Sequence, residues 1–327
     1  MAVSRRRFLC SAATAAVTLT VLRSKPANAY PERPIRLVVP FPPGGVNDAV
    51  ARPWAEAMTA RLGTVVIENM GGAGGSLGAA TVARAQPDGY TILLGNTGTQ
   101  VIHPIGQSRP SYDPIKSFDP ITILGLASVG IVVPPSVPAG NLREFIGYAK
   151  AKGAKLSFGT PGVGTLSHVT AELFKSLAGT PDMVHVPYRG IGPAMTDLIA
   201  GRLEMLTPNV TASVLGLHRA GKIRLLAVTS PTRLSAAPDI DTAVEAGLPG
   251  MISQNFIGLF APAQTSRPTL DRISQATHIA MADLRRSYLA AGFEPNLESN
   301  PDAARRVVKE QVAKWSPVIS SIGLKLD

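Results

Sequence analysis

Gly74-Gly75-Ser76-Leu77-Gly78 spells G-x-S-x-G, the pattern of a strand-to-helix turn that presents a serine nucleophile. Such a turn should leave its strand directly. Here Gly71, Gly72, Gly74 and Gly75 lie between the apolar run ending at Ile67 and Ser76, and glycine-dense sequence meets the pattern by chance. An exported serine hydrolase using Ser76 is therefore the alternative reading, not the leading one. Dinucleotide chemistry has less support: Gly72-Ala73-Gly74 is followed by Leu77, and Gly162-Val163-Gly164 by Ser167, so neither completes G-x-G-x-x-G. His103, His168, His185, His218 and His278 are scattered, with no H-x-x-x-H or H-E-x-x-H spacing for a metal. The single cysteine, Cys10, falls in a segment expected to be removed. Thiolate, disulfide and cysteine-metal chemistry are then excluded, and no cofactor is expected.

Four Gly/Ser/Thr-rich loops remain. They are Pro43-Gly44-Gly45, Gly95-Asn96-Thr97-Gly98-Thr99, Gly159 to Thr165, and Tyr188-Arg189-Gly190-Ile191-Gly192. Each follows an expected strand, at the edge where open α/β sheets bind ligands. Helix starts with free backbone N–H groups suit anions such as carboxylates.

The elements that must position these loops alternate. Ile35 to Val39 reads as a buried parallel strand. Asn47 can cap a helix from Asp48 to about Leu62, with Val50, Trp54, Ala57, Met58 and Leu62 on its apolar face. On that helix Arg52 is expected in solvent or paired with Glu56 at i,i+4. Thr64–Ile67 and Tyr90–Leu94 are further strands around a helix ending near Ala85, giving βαβαβ and a parallel sheet. Strands are expected again near Ile121–Leu124, Ile131–Val133, Leu156–Phe158, Met183–Val186, Ile223–Val228 and Ile257–Phe260. Helices fall near Leu142–Lys152, Ser167–Leu177, Pro193–Ala200, Thr269–Met281, Asp283–Ala291 and Asp302–Ile322. About ten strands exceed one ordinary doubly wound sheet, so two α/β lobes are expected.

The formal net charge of the 327-residue chain is +10. Residues 1–29 contribute Arg5, Arg6, Arg7, Arg23 and Lys25 and no acid, so a chain without them carries +5. No basic stripe with interleaved aromatics is present, which excludes a nucleic-acid surface; a mild bias toward anionic ligands remains. Ser4-Arg5-Arg6-Arg7-Phe8-Leu9, the apolar stretch Cys10 to Leu22 and the small residues Ala27-Asn28-Ala29 come in the order of a cleaved twin-arginine signal. Cleavage after Ala29 and a periplasmic location are expected.

The loops also carry a resemblance. Tyr30-Pro31-Glu32-Arg33-Pro34-Ile35 through Pro42-Pro43-Gly44-Gly45, with Asp48 and Arg52, resembles the opening of Bug-type proteins, the substrate-binding components of tripartite tricarboxylate transporters. Glu68-Asn69 before Gly74-Gly75, Pro87-Asp88-Gly89-Tyr90, Tyr112-Asp113-Pro114, His185 to Gly190, Leu226 to Ser230, Glu245 to Gly250 and Gly258 to Pro262 extend it over nearly all of residues 30–327. Met70-Gly71 stands where the family usually has Arg-Pro, and Thr207-Pro208-Asn209 where many members have Asp-Asn or Asp-Pro. The resemblance implies a two-lobed α/β periplasmic binding protein fold of the type II, Venus-flytrap kind, with the ligand cleft between lobes. The first lobe would be residues 30–126 plus 254–327 and the second 127–253. It also implies a small carboxylate ligand, held largely by backbone groups. Carried over, its contacts fall on Phe41, Pro43, Gly44, Gly45 and Asp48, and on Thr160, Gly162, Gly164, Thr165, His168, Tyr188 and Gly190. Thr97, in the second of the four loops, joins them. The implied partners are the transporter's membrane subunits, and the protein is expected to be a monomer. A sensor partner that reports the solute without transporting it is a further reading.

Overall fold

The structure, a computed structural model, describes residues 30–326. The stretch read as a signal, residues 1–29, and Cys10 within it lie outside the described residues. The elements run β1 (Ile35–Val39), α1 (Val46–Leu62), β2 (Val65–Asn69), α2 (Ser76–Ala83), β3 (Thr91–Asn96), α3 (His103–Gly106), β4 (Phe118–Ser128), β5 (Gly130–Val133) and α4 (Leu142–Lys152). They continue with β6 (Ser157–Thr160), α5 (Leu166–Ala178), β7 (Val184–Pro187), α6 (Ile191–Ile199), β8 (Met205–Leu206), α7 (Ala212–Arg219) and β9 (Arg224–Val228). The last are β10 (Gln254–Pro262), α8 (Arg267–Ala290), β11 (Phe293–Pro295) and α9 (Pro301–Ser321).

These strands form two sheets, ordered β11-β4-β10-β3-β1-β2 and β7-β6-β8-β5-β9. As the βαβαβ pattern requires, β1 pairs in parallel with β2 and β3. Neither sheet is parallel throughout. β10 runs antiparallel to β3 and β4, and β5 antiparallel to β8 and β9. Strands that carry the chain from one sheet to the other enter without a crossover helix, and this reverses their direction.

Each sheet is covered on both faces. α1 and α8 lay Trp54, Met58, Ile273 and Tyr288 on one face of the first sheet, around Leu37, Ile92 and Leu259. Trp54 also donates its indole N–H to Thr277 Oγ1 at 3.1 Å, fixing α1 against α8. α2 and α9 cover the other face with Ala79, Val308 and Trp315. In the second sheet Phe145 of α4 and Phe174 of α5 pack on Phe158, while α6 and α7 bring Leu198 and Val214 onto Val132 and Leu206. Leu166 and Val169 of α5 belong instead to the core of the first sheet, so the two halves share apolar packing. Among the described residues no helix is long and apolar enough to cross a membrane.

Some expectations need correction. The helix cap is Gly45, not Asn47, which lies inside α1 and is buried. Arg52 pairs with Asp48, one turn back, at 2.8 Å, and not with Glu56. α8 is one helix where two were expected, because no Gly or Pro interrupts the sequence between Met281 and Asp283. β8, β11 and α7 were not foreseen. The two strands are two and three residues long, too short for an alternation to register.

The chain passes between sheets from Ser128 to Gly130 and from Val228 to Gln254. A third tie crosses between them outside these passages. The Ala212 N–H donates to the Ala291 carbonyl at 3.1 Å. Beside it Gly292 adopts φ +79°, and a Cβ there would run into the Val210 carbonyl oxygen. Gly292→Ala therefore combines left-handed strain with a backbone collision. It is expected to lower stability by more than about 2 kcal/mol in urea unfolding; a loss under about 0.5 kcal/mol would show that this turn moves aside freely.

Candidate functional site

Four helices begin at one cavity. α1 contributes Gly45, Val46 and Asn47; α5 contributes Thr165, Leu166 and Ser167; α6 contributes Gly190, Ile191 and Gly192; α7 contributes Thr211 and Ser213. The cavity encloses about 430 Å³ and is lined from both sheets' halves of the molecule. First-turn amides of a helix have no intrahelical acceptor. Thr165 and Thr211 cap α5 and α7 through their hydroxyls, but Gly45 and Gly190 supply no side-chain cap, so the starts of α1 and α6 keep their donors. The first turns of α5, α6 and α7 hold no acid. Asp48 is the acid in the first turn of α1. Burial would raise its carboxyl, but hydrogen bonds from Arg52, the Gly44 N–H and Asn69 outweigh that and hold it below the usual carboxylate range. Its charge is met by Arg52 and turned away from the cavity, whose lining does not include it.

Arg189 is the one charged residue in the lining. It is exposed, and among the described residues it makes no ion pair. The rest of the polar lining is neutral. Asn47 donates to the Leu94 carbonyl at 3.4 Å and accepts from Asn96 at 3.2 Å, while Asn96 accepts the Thr99 N–H at 3.0 Å. Asn255, on β10, accepts the Thr97 N–H at 3.2 Å. These asparagines therefore come from α1, β3 and β10 and are held by the framework.

Of the residues singled out from sequence, Phe41, Pro43, Gly44, Gly45, Thr165 and Gly190 line the cavity. Asp48, Thr97, Thr160, Gly162, Gly164, His168 and Tyr188 do not, and each is engaged in holding a neighbour. Thr97 Oγ1 accepts the Phe256 N–H at 2.9 Å, which fastens the β3 loop to β10. Thr160 Oγ1 and His185 Nε2 are 2.7 Å apart, and His168 Nδ1 accepts the Gly164 N–H at 3.3 Å. Gly162 and Gly164, at φ +145° and +76°, make the turn that brings Thr165 to the cavity. The Tyr188 hydroxyl donates to Asp197 at 2.8 Å, bracing the start of α6.

Sequence reasoning missed Asn47 and Asn255 as lining residues, together with Ser167 and the start of α7; Asn96 lies in a loop it named. The α7 cap was legible: Thr211 precedes Val214 and Leu215, and its hydroxyl accepts the Val214 N–H at 3.4 Å. Ser76 is the first residue of α2, behind a 3₁₀ turn at Ala73–Gly75. Its hydroxyl donates to the Ala73 carbonyl at 2.9 Å and the residue is buried away from the cavity lining. That is not the exposed nucleophile the motif describes.

Two α/β lobes around a shared cavity of helix starts define a periplasmic-type solute-binding protein. The chain belongs to the Tripartite tricarboxylate transporter family receptor group, whose family model matches residues 50–324. BugT of Bordetella pertussis is 31% identical, the match covering 92% of each chain. MatC from Rhodopseudomonas palustris, solved with bound malate, is 32% identical with a TM-score of 0.83, covering 89% of this chain and 100% of that one. A second R. palustris protein, solved with adipate, is 29% identical with a TM-score of 0.83, covering 90% and 99%.

Proposed function

We propose that this protein captures a small carboxylate in the periplasm and presents it to the membrane subunits of a tripartite tricarboxylate-type transporter, acting as a monomer. The observation that carries this reading is the convergence of four helix N-termini on a cavity whose lining holds one basic and no acidic side chain. Backbone N–H groups and helix dipoles stabilise an anion there. Malate and adipate in the two solved relatives support the carboxylate. On this reading Gly44, Gly45, Thr165 and Gly190 sit at the bound anion, and Thr160, His168 and Tyr188 position their loops. Residues 30–126 with 254–327 form one moving lobe and 127–253 the other, hinged near 125–129 and 252–256. The signal-like order of residues 1–29 supports export.

The test is a thermal-shift screen of the chain from Tyr30 onward against mono-, di- and tricarboxylates. A true ligand at a hundred times its Kd adds about 2.7 kcal/mol of stability. With that ligand, small-angle scattering should record a smaller radius, because contacts to both lobes exist only in the closed form. A panel in which no carboxylate raises the melting temperature overturns the reading.

A further inference from the structure

α6 carries more apolar surface than its lobe needs. Ala194 and Leu198 face the second sheet and are buried in its core. A second stripe, Ile191, Met195 and Ile199, recurs at intervals of four residues; Met195 and Ile191 also pack on that core, and all three border the cavity. Ile199 is 40% exposed, a large aliphatic side chain open toward this space. Val214 of α7, Leu166 of α5 and Phe41 extend the apolar wall. A site for a fully polar acid has no use for such a wall: carboxylates and hydroxyls laid on it would lose water and gain no partner. The volume of about 430 Å³ also falls in the range that encloses larger organic ligands.

An independent observation concerns Asn209, which lines the same cavity. Its Oδ1 is buried and has no hydrogen-bond partner. A buried amide oxygen without a donor costs free energy, which an N–H or O–H of a ligand reaching it would offset. The segment itself is fixed by its backbone: the Thr211 N–H donates to the Asn209 carbonyl at 3.0 Å, and the Val210 N–H to Ser128 at 2.8 Å. The side chain is free to serve recognition.

We propose that the solute is an amphipathic acid: a carboxylate at the helix starts, an apolar body (a ring, or a chain of similar size) along Ile191, Met195 and Ile199, and a hydroxyl or N–H on that body that donates to Asn209. This rests on the carboxylate reading above and narrows it to a class.

The experiment is calorimetric titration with benzoate, the three hydroxybenzoates, malate and citrate. At least one hydroxybenzoate is expected to bind about tenfold tighter than benzoate, and malate and citrate at least about tenfold weaker than that isomer. Ile199→Asp, at an exposed position, should weaken the hydroxybenzoate about tenfold and leave unliganded melting unchanged. Asn209→Leu removes no existing hydrogen bond and should equalise benzoate and hydroxybenzoate. Malate or citrate binding as tightly as the aromatic acids overturns the inference while the carboxylate reading stands. Equal affinity of benzoate and every hydroxybenzoate also overturns it. If no acid in the panel binds, polar or apolar, the carboxylate reading itself fails.

Discussion

Gly45→Val is expected to weaken carboxylate binding by about thirtyfold or more, corresponding to about 2 kcal/mol, while the protein folds as before. The backbone at Gly45 is extended, at φ −86° and ψ 178°, which valine adopts without strain. A Cβ there meets no atom within 4 Å. Gly45 borders the cavity and caps α1 without a side chain, so the isopropyl group enters the space next to the free amides of Val46 and Asn47. A carboxylate cannot then approach those N–H groups to hydrogen-bond distance. Arg189→Gln is the comparison. This arginine is exposed, and its attraction for an anion is screened by water, so the change should weaken binding less than about fivefold. Calorimetry on both variants with the same carboxylate decides the matter. Tolerance of Gly45→Val together with loss of binding in Arg189→Gln would show that the arginine, not the backbone, holds the anion.

Much of the framework was legible because its signals are local. The apolar run of β1, the glycine-rich breaks after it, the alternation of strands with helices and the number of strands indicated two α/β lobes; the binding-protein fold was implied by the resemblance. Of the residues in the glycine loops and their flanks, Phe41, Pro43, Gly44, Gly45, Thr165 and Gly190 line the cavity. What the sequence hid was produced by topology. Asn47 and Asn255 lie on α1 and β10 and join Asn96 of the second glycine loop, with β10 entering the sheet only after the chain has passed through the second sheet. No spacing links them. Glycine-rich loops also draw attention to the residues that shape them, and those face inward: Thr160 and Thr97 are fully buried, and His168 nearly so. Asp48, to which the resemblance pointed, lies off the cavity lining. Its carboxylate pairs with Arg52 and accepts the Gly44 N–H, a contact that no spacing in the sequence announces.

Acidification from pH 7 to pH 4.5 is expected to destabilise the protein by roughly 3 kcal/mol through two histidines. His168 and His185 stack with ring centres 4.0 Å apart and planes 15° apart, and Phe158 stacks on the far side of His185. Burial pushes His168 down to about 3, aided by His185 and Lys175. Burial and Lys175 push His185 down to about 4. Glu172 is the acid facing this cluster, 3.9 Å from His168 Nε2, and it is held by Lys175 at 2.9 Å. Above the ordinary histidine value of about 6.5 both rings are neutral whether the chain is folded or not, and the shift has no effect on stability. Below that value the unfolded chain binds protons that the folded chain refuses, so stability falls with pH down to the folded values near 3 and 4. Two pH units of that window cost at most about 2.7 kcal/mol per ring, and less for His185, which is only partly buried. The loss reaches the binding site as well. A proton on His168 Nδ1 ends its acceptance of the Gly164 N–H. That bond shapes the turn that delivers Thr165 to the cavity. Carboxylate affinity should therefore decline over the same range. The check is urea unfolding at pH 7 and 4.5 for the wild type and for His185→Phe, which keeps an aromatic ring in the stack and cannot titrate. The variant should lose less stability on acidification than the wild type, by about 1 kcal/mol or more. Equal losses in the two proteins would assign the acid sensitivity to carboxylates elsewhere and clear the histidine stack of any part in it.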